Sequence, residues 1–368
     1  MKNIDIFNFN KELINKFNKE KYILLTGGLG FIGFNLALAL NSLGFSNLII
    51  VDNIFNKDEY DNLNKIKIKR LAKLKFINYF QKENFLELIK NENLLTKYNL
   101  DKIRFIFHQG ACTNTLEKDL NYLIKNNFEY SKELLNFSRK YLIPMIYASS
   151  ASVYGNTMKK SKKFYNYFYN PLNYYALSKF LFDNYVINQD LENVVIGLRY
   201  FNVYGFYEEH KGFMASVIFH FFNQILKDNT IKIFEGSKDF YRDFIFVDDV
   251  VKVNIFLFKI IIENENLKEL SGIYDCGTSK SVSFFEAANI VKNYIQKKLN
   301  KDNVYIKEIE FPKELKNKYQ IFTKANNKKL IEIFKRYNID FKFTSIYKGV
   351  KKYIDYLLAS RRGVKLDY

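Results

Sequence analysis

Residues 26–33 read Thr26-Gly27-Gly28-Leu29-Gly30-Phe31-Ile32-Gly33 and directly follow the apolar run Tyr22-Ile23-Leu24-Leu25. Gly27, Gly30 and Gly33 recur at every third position, and Gly28 makes a second spacing with Gly30 and Gly33. A strand, such a turn and then a helix form a dinucleotide site. The first glycines let the backbone turn tightly and approach a pyrophosphate, and the last lets the helix pack on the strand. The helix N-terminus then offers N–H donors to the anion. A glycine triplet alone is common, but here the context agrees. A helical apolar pattern follows (Phe31, Ile32, Leu36, Leu40), and Leu43-Gly44 stops it. A second apolar run, Leu48-Ile49-Ile50-Val51, ends in Asp52. That is about 20 residues past the last glycine, where an acid is expected on a ribose hydroxyl.

Working outward, apolar strands alternate with helical patterns from Lys21 to about Tyr200. The expected strands are Tyr22–Thr26, Leu48–Asp52, Phe105–His108, Ile143–Ser149 and Val194–Arg199, with helical stretches at Asn121–Tyr141 and Tyr174–Gln189. This alternation predicts an α/β fold, a doubly wound parallel Rossmann sheet with right-handed crossovers. Residues 1–20 read as an appended extension. Residues 58–75 and 91–101 are charged and read as irregular surface insertions. After Tyr200 the pattern loosens, with loops at 205–216 and 234–245, as in a smaller C-terminal α/β substrate lobe. Phe244–Phe258 and Gly272–Cys276 read as returns to the large sheet. The expected division is therefore 21–200 plus about 244–276 for the dinucleotide-binding domain. About 201–243 plus 277–368 form the substrate lobe.

Composition narrows the class. The chain has 368 residues, 48% of them hydrophobic, which is a globular balance rather than a disordered one. No apolar run reaches a membrane span, since Ile255-Phe256-Leu257-Phe258 is broken by Lys259. The N-terminus, with Lys2, Asp5, Lys11 and Glu12, carries no secretion signal. Cys112 and Cys276 cannot build a disulfide framework, which suits a reducing cytoplasm. The net charge of +18 raises nucleic-acid binding as a reading. Only 8 of the 57 basic residues are Arg, and the Lys are scattered apart from clusters at Lys65–Lys75 and Lys159–Lys163. Nucleic-acid surfaces favour Arg, so no nucleic-acid partner is expected. The charge instead attracts an anionic nucleotide. No metal site is expected.

The reactive groups lie at the end of a strand, where ligands meet a parallel sheet. The segment is Ser149-Ser150-Ala151-Ser152-Val153-Tyr154-Gly155, followed by Tyr175-Ala176-Leu177-Ser178-Lys179. A four-residue spacing puts Tyr175 and Lys179 on one helix face. An ammonium there favours the phenolate, so Tyr175 can act as an acid/base near neutrality. Ser150 would hold the reacting oxygen, and Lys179 could also bond a nicotinamide ribose. Tyr-x-x-x-Lys means little alone in a chain with 28 Tyr and 49 Lys. Its weight comes from Ser150, the strand end and the glycine turn together.

These features resemble the extended short-chain dehydrogenase/reductases that act on nucleotide sugars, the NAD-dependent epimerase/dehydratase family. Finer strings point to one epimerase branch from Lys21 to about Tyr356. They are His108-Gln109-Gly110-Ala111-Cys112-Thr113, Arg199-Tyr200-Phe201-Asn202-Val203-Tyr204-Gly205 and His210-Lys211-Gly212-Phe213-Met214-Ala215-Ser216. Further on come Phe234-Glu235-Gly236-Ser237, Tyr241-Arg242-Asp243-Phe244, and Phe311-Pro312 leading to Tyr319-Gln320.

The resemblance implies an ADP-heptose substrate in lipopolysaccharide inner-core precursor biosynthesis. It is inverted at C6″ by oxidation to a ketone and re-reduction with bound NADP. Tyr175 and Lys211 would be acid/bases for two substrate orientations, and the protein would be a homo-oligomer, a pentamer. Cofactor contacts carry over to Phe31, Ile32, Asp52, Asn53, Lys82, Gln109, Gly110, Ala111, Cys112, Thr113, Asn126, Lys179, Val203 and Lys211, beside the glycine turn. Substrate contacts carry over to Ser150, Asn202, Phe213, His220, Phe234, Glu235, Gly236, Ser237, Arg242 and Tyr319.

Three departures from the family pattern stand out. Gln109 replaces a Glu, and Phe213 replaces a small Ser. The loop after Asp52 is longer, with Lys57 the candidate for the 2′-phosphate. Asp52 itself favours a free 2′-hydroxyl, so NAD stays an alternative cofactor. Three rivals are weighed. A sugar 4,6-dehydratase would need a proton donor where Ala151 and Ser152 stand. A UDP-hexose 4-epimerase would share Ser, Tyr and Lys but not the Lys211 loop. A non-catalytic NADP-binding regulator would lack the Ser150–Tyr175–Lys179 set.

Overall fold

A computed structural model of the chain describes residues 9–54, 62–156, 169–313 and 319–361. The chain opens with α1 (Lys11–Glu20), β1 (Tyr22–Thr26), α2 (Phe31–Ser42), β2 (Leu48–Val51), α3 (Asn62–Leu71) and β3 (Asn78–Phe80). It continues through α4 (Lys82–Lys90), α5 (Glu92–Lys97), β4 (Ile103–His108), α6 (Leu120–Leu123), α7 (Tyr130–Lys140), β5 (Met145–Ser150), α8 (Tyr174–Ile187) and β6 (Val195–Tyr200). Then follow β7 (Asn202–Tyr204), α9 (Val217–Asp228), β8 (Thr230–Phe234), β9 (Tyr241–Phe246), α10 (Val247–Glu263) and β10 (Gly272–Cys276). The last are β11 (Ser281–Ser283), α11 (Phe284–Leu299), β12 (Tyr305–Ile309), α12 (Lys328–Arg336) and α13 (Ile346–Arg361).

Two compact units result. The first takes the described residues within Met1–Ser149, Ser178–Leu198 and Val251–Tyr274. The second takes those within Ser150–Leu177, Arg199–Val250 and Asp275–Tyr368.

The body of the first unit is a seven-stranded sheet in the order β10-β6-β5-β4-β1-β2-β3. β1 pairs in parallel with both β2 and β4. Strands β2 and β6 are buried at every position, so β2 reads as an unbroken apolar run rather than as alternation. Gly272–Cys276 joins the sheet at its edge as expected. The run Phe244–Phe258 does not return to it. Phe244–Phe246 ends β9, and the chain then enters α10 with Asp248 and Asp249 in the first turn, where carboxylates suit the helix dipole.

Residues 11–20 of the extension before β1 form α1. Asn10 caps α1 by accepting the Glu12 N–H at 2.8 Å. Its buried Phe17 sits edge-on to Phe45 and Phe258, with centroids 5.7 and 5.9 Å apart. Residues 58–61 of the first charged insertion lie outside the described residues, and the described parts of both insertions contain helices rather than irregular loops. Residues 62–71 form α3, and 92–97 form α5. The helical stretch before β5 contains a wider π-type turn at Ile124–Glu129, which turns the fully buried Asn127 inward.

The second unit is built on β11-β9-β7 and a parallel β12–β8 pair. Its aromatic core sets Tyr204 and Phe206 against Phe246 and Tyr353.

Candidate active site

The sheet order reverses between β1 and β4, so a crevice opens outside their carboxyl ends, where dinucleotides bind. There Gln109 N donates to Thr26 O at 3.1 Å, and Gly110 N to Thr26 Oγ1 at 3.3 Å. Gly27 has φ +67°, and a Cβ on it would lie 2.6 Å from the Gly110 backbone. A Cβ on Gly33 would lie 2.1 Å from the Gly27 carbonyl oxygen. Neither position admits a side chain. Gly30 is the N-cap of α2 and makes no side-chain hydrogen bond to the first turn, which enters at Phe31 and Ile32. This cradle fits a dinucleotide pyrophosphate.

Asp52 closes the same corner. Its Oδ2 accepts from Leu29 N at 2.9 Å, and its Oδ1 from Asn53 N at 2.8 Å. Lys67 of α3 also reaches Oδ1, at 2.9 Å, and the Asn53 carbonyl at 2.6 Å. Arg70, buried three residues on, donates to the Leu29 carbonyl at 2.7 Å and lies over the Phe34 ring. Lys57 lies outside the described residues. Lys67 and Arg70 are therefore the basic residues at this corner that the sequence did not single out. Asn53 Oδ1 accepts from Lys82 N at 3.0 Å, and Lys82 Nζ donates to Asn126. Burial lowers the Lys82 pKa, and its ammonium lies over Tyr130.

A buried chain of hydrogen bonds explains the His108-to-Thr113 string. His108 Nδ1 lies 2.6 Å from Thr26 Oγ1, and Nε2 lies 2.8 Å from Ser131 Oγ. The Ser131 hydroxyl proton goes to the Asn127 carbonyl at 2.7 Å. Ser131 can therefore only accept from the ring, and His108 is assigned as the Nε2–H tautomer. Burial, then the charges of Lys179 and Lys82, hold it neutral. Asn127 pairs with both backbone groups of Cys112, at 2.8 and 3.0 Å, and donates to Ser178 Oγ at 3.0 Å. The loop through Ala111 and Thr113 is thus pinned beside α8. Lys179 Nζ donates to Ala148 O at 2.9 Å. Burial pushes its pKa down to about 8, against the opposing pull of Asp183.

In the second unit, Ser150 ends β5, and its Oγ accepts from Ser152 N and Ser152 Oγ at 3.2 and 2.9 Å. Tyr175 occupies the first turn of α8, one helical turn before Lys179. The Ser150–Asn156 turn is tied to a later segment. Gln320 Nε2 donates to Ala151 O and Gly155 O at 3.2 and 2.8 Å, and Asn156 bonds Tyr319 O and Ile321 N. That segment meets Arg242, whose guanidinium donates to Gln320 O and lies between the Phe284 and Tyr319 rings, at 5.2 and 5.0 Å. Arg242 is 6% exposed, and burial lowers its pKa to about 10, so it stays charged.

Phe234 and Tyr319 both pack on Phe311. Glu235 and Gly236 are exposed on the following turn, which Ser237 N closes onto Phe234 O at 3.0 Å. Asn202 and Val203 lie in β7, opposite Phe244 and Ile245 of β9. Lys211 sits half-buried in a short 3-10 turn, Glu209–Met214. Phe213 points outward, 69% exposed, and its carbonyl lies 3.2 Å from His220 Nε2. His220 therefore anchors the turn's backbone, and Phe213 contributes a carbonyl there.

The chain belongs to the NAD dependent epimerase/dehydratase family, whose model matches residues 23–270. Among curated relatives it is similar to the ADP-L-glycero-D-manno-heptose-6-epimerase of Brachyspira hyodysenteriae. The two are 45% identical over 340 residues, 91% of this chain and 97% of that one. Among solved structures it is similar to the Helicobacter pylori ADP-L-glycero-D-manno-heptose-6-epimerase. That match has TM-score 0.71 and 26% identity, covering 95% of this chain and 99% of the other. UDP-glucuronic acid 4-epimerase from Bacillus cereus, solved with UDP-glucuronic acid and NAD, shares the fold. Its TM-score is 0.70 at 20% identity, covering 92% and 99%. Among the described residues no helix is long and apolar enough to cross a membrane.

Proposed function

We propose that the chain epimerises ADP-D-glycero-D-manno-heptose to ADP-L-glycero-D-manno-heptose at C6″ with bound NADP, supplying a lipopolysaccharide inner-core precursor. The observation that carries this reading is the match, at 45% identity and nearly full length, to a heptose epimerase. Gly27–Gly33, Asp52, Lys67, Lys82 and the 109–113 loop would hold the dinucleotide. Bound there, the cofactor would supply reversible hydride acceptance for oxidation and re-reduction at C6″.

The remaining work falls to side chains. Ser150 holds the C6″ oxygen. Tyr175 takes its proton, and the ammonium of Lys179, on the same face of α8, favours the phenolate. A proton partner must lie within roughly 3 Å of the oxygen it serves, so one phenol cannot serve both orientations of the sugar. Lys211 serves the second. Arg242 suits the diphosphate, because its fork donates two bonds at once. Lys67 beside Asp52 favours NADP over NAD. A homo-oligomer, a pentamer by family resemblance, and a reducing cytoplasm suited to two free cysteines complete the reading.

A turnover assay with ADP-heptose and UDP-hexoses, with mass spectrometry of the released nucleotide, tests it. Epimerised ADP-heptose and co-purified NADP are expected. Interconversion of UDP-hexoses with no turnover of ADP-heptose would select the hexose 4-epimerase reading instead.

A further inference from the structure

Glu208 is the carboxylate that the site's chemistry has not yet used. It is wholly buried, at 0% exposure. Its Oε1 accepts from Gly205 N at 3.1 Å and from Ser216 Oγ at 2.7 Å, and its Oε2 from Ser216 N at 2.6 Å. Gly205 follows β7, and Ser216 is the N-cap of α9. One side chain therefore joins the two ends of the loop that carries His210-Lys211-Gly212. Its own carbonyl also accepts from Lys211 N at 2.9 Å. Within the loop Gly212 has φ +54° and nothing within 4 Å of where a Cβ would stand. Glu208 therefore ties the two ends of the segment, while the His220 ring meets the Phe213 carbonyl within it.

We propose that Glu208 is the positioning residue of the reaction: its buried carboxylate clasps the 205–216 loop at both ends and holds Lys211 in place as its counter-charge. This rests on the reading of Lys211 as the second acid/base. The charges around the clasp favour that pairing. Among the described residues Lys211 is the cation whose charge acts on Glu208, and each shifts the other toward its charged form against the opposing effect of burial. The phenols of Tyr204 and Tyr353 also face Glu208. Asp248 and Asp249 lie near the first phenol and Glu209 near the second. None of these supplies a positive charge, so Lys211 and Glu208 compensate each other.

Glu208→Gln tests this in the holoenzyme. The amide nitrogen would set a donor against the Ser216 N–H, and the negative charge would be gone. The expected result is kcat down about tenfold, a KM for ADP-heptose within about twofold and unchanged nucleotide content. One limb of the pH–kcat profile should move to lower pH, because Lys211 without its counter-charge binds its proton less tightly. A kcat and profile that superimpose on wild type overturn the clasp. So does a parallel loss of KM and bound nucleotide.

If Glu208→Gln does not fold, Ser216→Ala keeps the carboxylate and its two backbone donors but removes the hydroxyl bond to Oε1. It should lower kcat without moving the limb, and an unchanged kcat would again overturn the proposal. Lys211→Met separates the two readings. If that variant still epimerises, the assignment of Lys211 fails. If it is inactive and Glu208→Gln behaves as wild type, only the clasp fails.

Discussion

Lys67 Nζ lies 2.9 Å from Asp52 Oδ1, a pair in which neither side chain exceeds 16% exposure. An acid at the end of the second strand ordinarily accepts from a free 2′-hydroxyl and repels a 2′-phosphate. Here both carboxylate oxygens already accept bonds from Leu29 N, Asn53 N and Lys67. The charge is compensated by a cation on α3. On the reading that NADP is the cofactor, this pair is what would let the corner receive a 2′-phosphate.

Lys67→Met should therefore weaken NADP far more than NAD. A charged hydrogen bond to phosphate contributes about 1.5–3 kcal/mol, which is about 10- to 100-fold in affinity. Titrating nucleotide-free protein with NADP and with NAD measures the two constants. Equal losses for both would show that Lys67 supports Asp52 without discriminating between the cofactors.

Arg242→Ala should act on the substrate and not on the cofactor. The guanidinium is fixed by Gln320 O and by two rings, so little ordering remains when a diphosphate binds. Losing its paired donors should raise KM by about 30- to 150-fold, or about 2–3 kcal/mol. Arg242→Lys should recover only part, since a single ammonium cannot fork. An unaltered Michaelis constant in both variants would place the diphosphate elsewhere.

With its pKa held down to about 8 by burial, Lys179 should set an alkaline limit to the proposed reaction. Below about pH 8 its ammonium would favour the Tyr175 phenolate, and above it that support should fade. The kcat profile should fall through an apparent pKa near 8. Lys179→Arg, charged at every working pH, should move that limb upward at a lower kcat. The effect on folding has the opposite sign. A lysine whose folded pKa lies below the ordinary value of 10.5 costs stability in full below about pH 8. The cost is relieved as pH rises toward 10.5, because the unfolded chain binds more protons in that window. A wild-type profile flat to pH 9.5 would remove Lys179 from the reaction.

The Rossmann half was legible because its signals are local. The glycine spacing is a steric demand, as the Gly33 Cβ contact shows, and buried parallel strands write themselves as apolar runs. Helix α3 was hidden because Lys65-Ile66-Lys67-Ile68-Lys69 alternates with period two and shows no helical stripe. What ties it down is tertiary, the bond from Arg70 to the Leu29 carbonyl. The run Phe244–Phe258 misled for the opposite reason. Its apolar content continues across the break at Val247, and only Asp248-Asp249 marks a helix start.

At the site, Ser150 and Tyr175 could be reasoned from chemistry, whereas Lys211 and Arg242 needed the resemblance. Glu208 could not be told from Glu209 beside it, since burial of one and not the other depends on how the loop closes. Asn127 was equally mute, because a π-type turn decides which of its neighbours faces inward.

The sharpest test concerns the two acid/bases. An enzyme that inverts a carbinol through a ketone meets the oxygen from two sides. Tyr175 sits on the rigid α8, and Lys211 on a loop held at its ends by Glu208. Partial burial lowers the Lys211 pKa, with Glu208 opposing, so the amine can exchange a proton nearer neutrality than a free lysine. Lys211→Met should stay folded and retain its nucleotide yet lose epimerisation by several orders of magnitude, and Tyr175→Phe should be impaired comparably. Each single variant should still run the half-reaction served by the remaining group. Tritium placed at C6″ and trapped on the nicotinamide would show this. If Lys211→Met epimerises within a few-fold of wild type while Tyr175→Phe is inactive, Tyr175 alone serves both faces and the loop has another purpose.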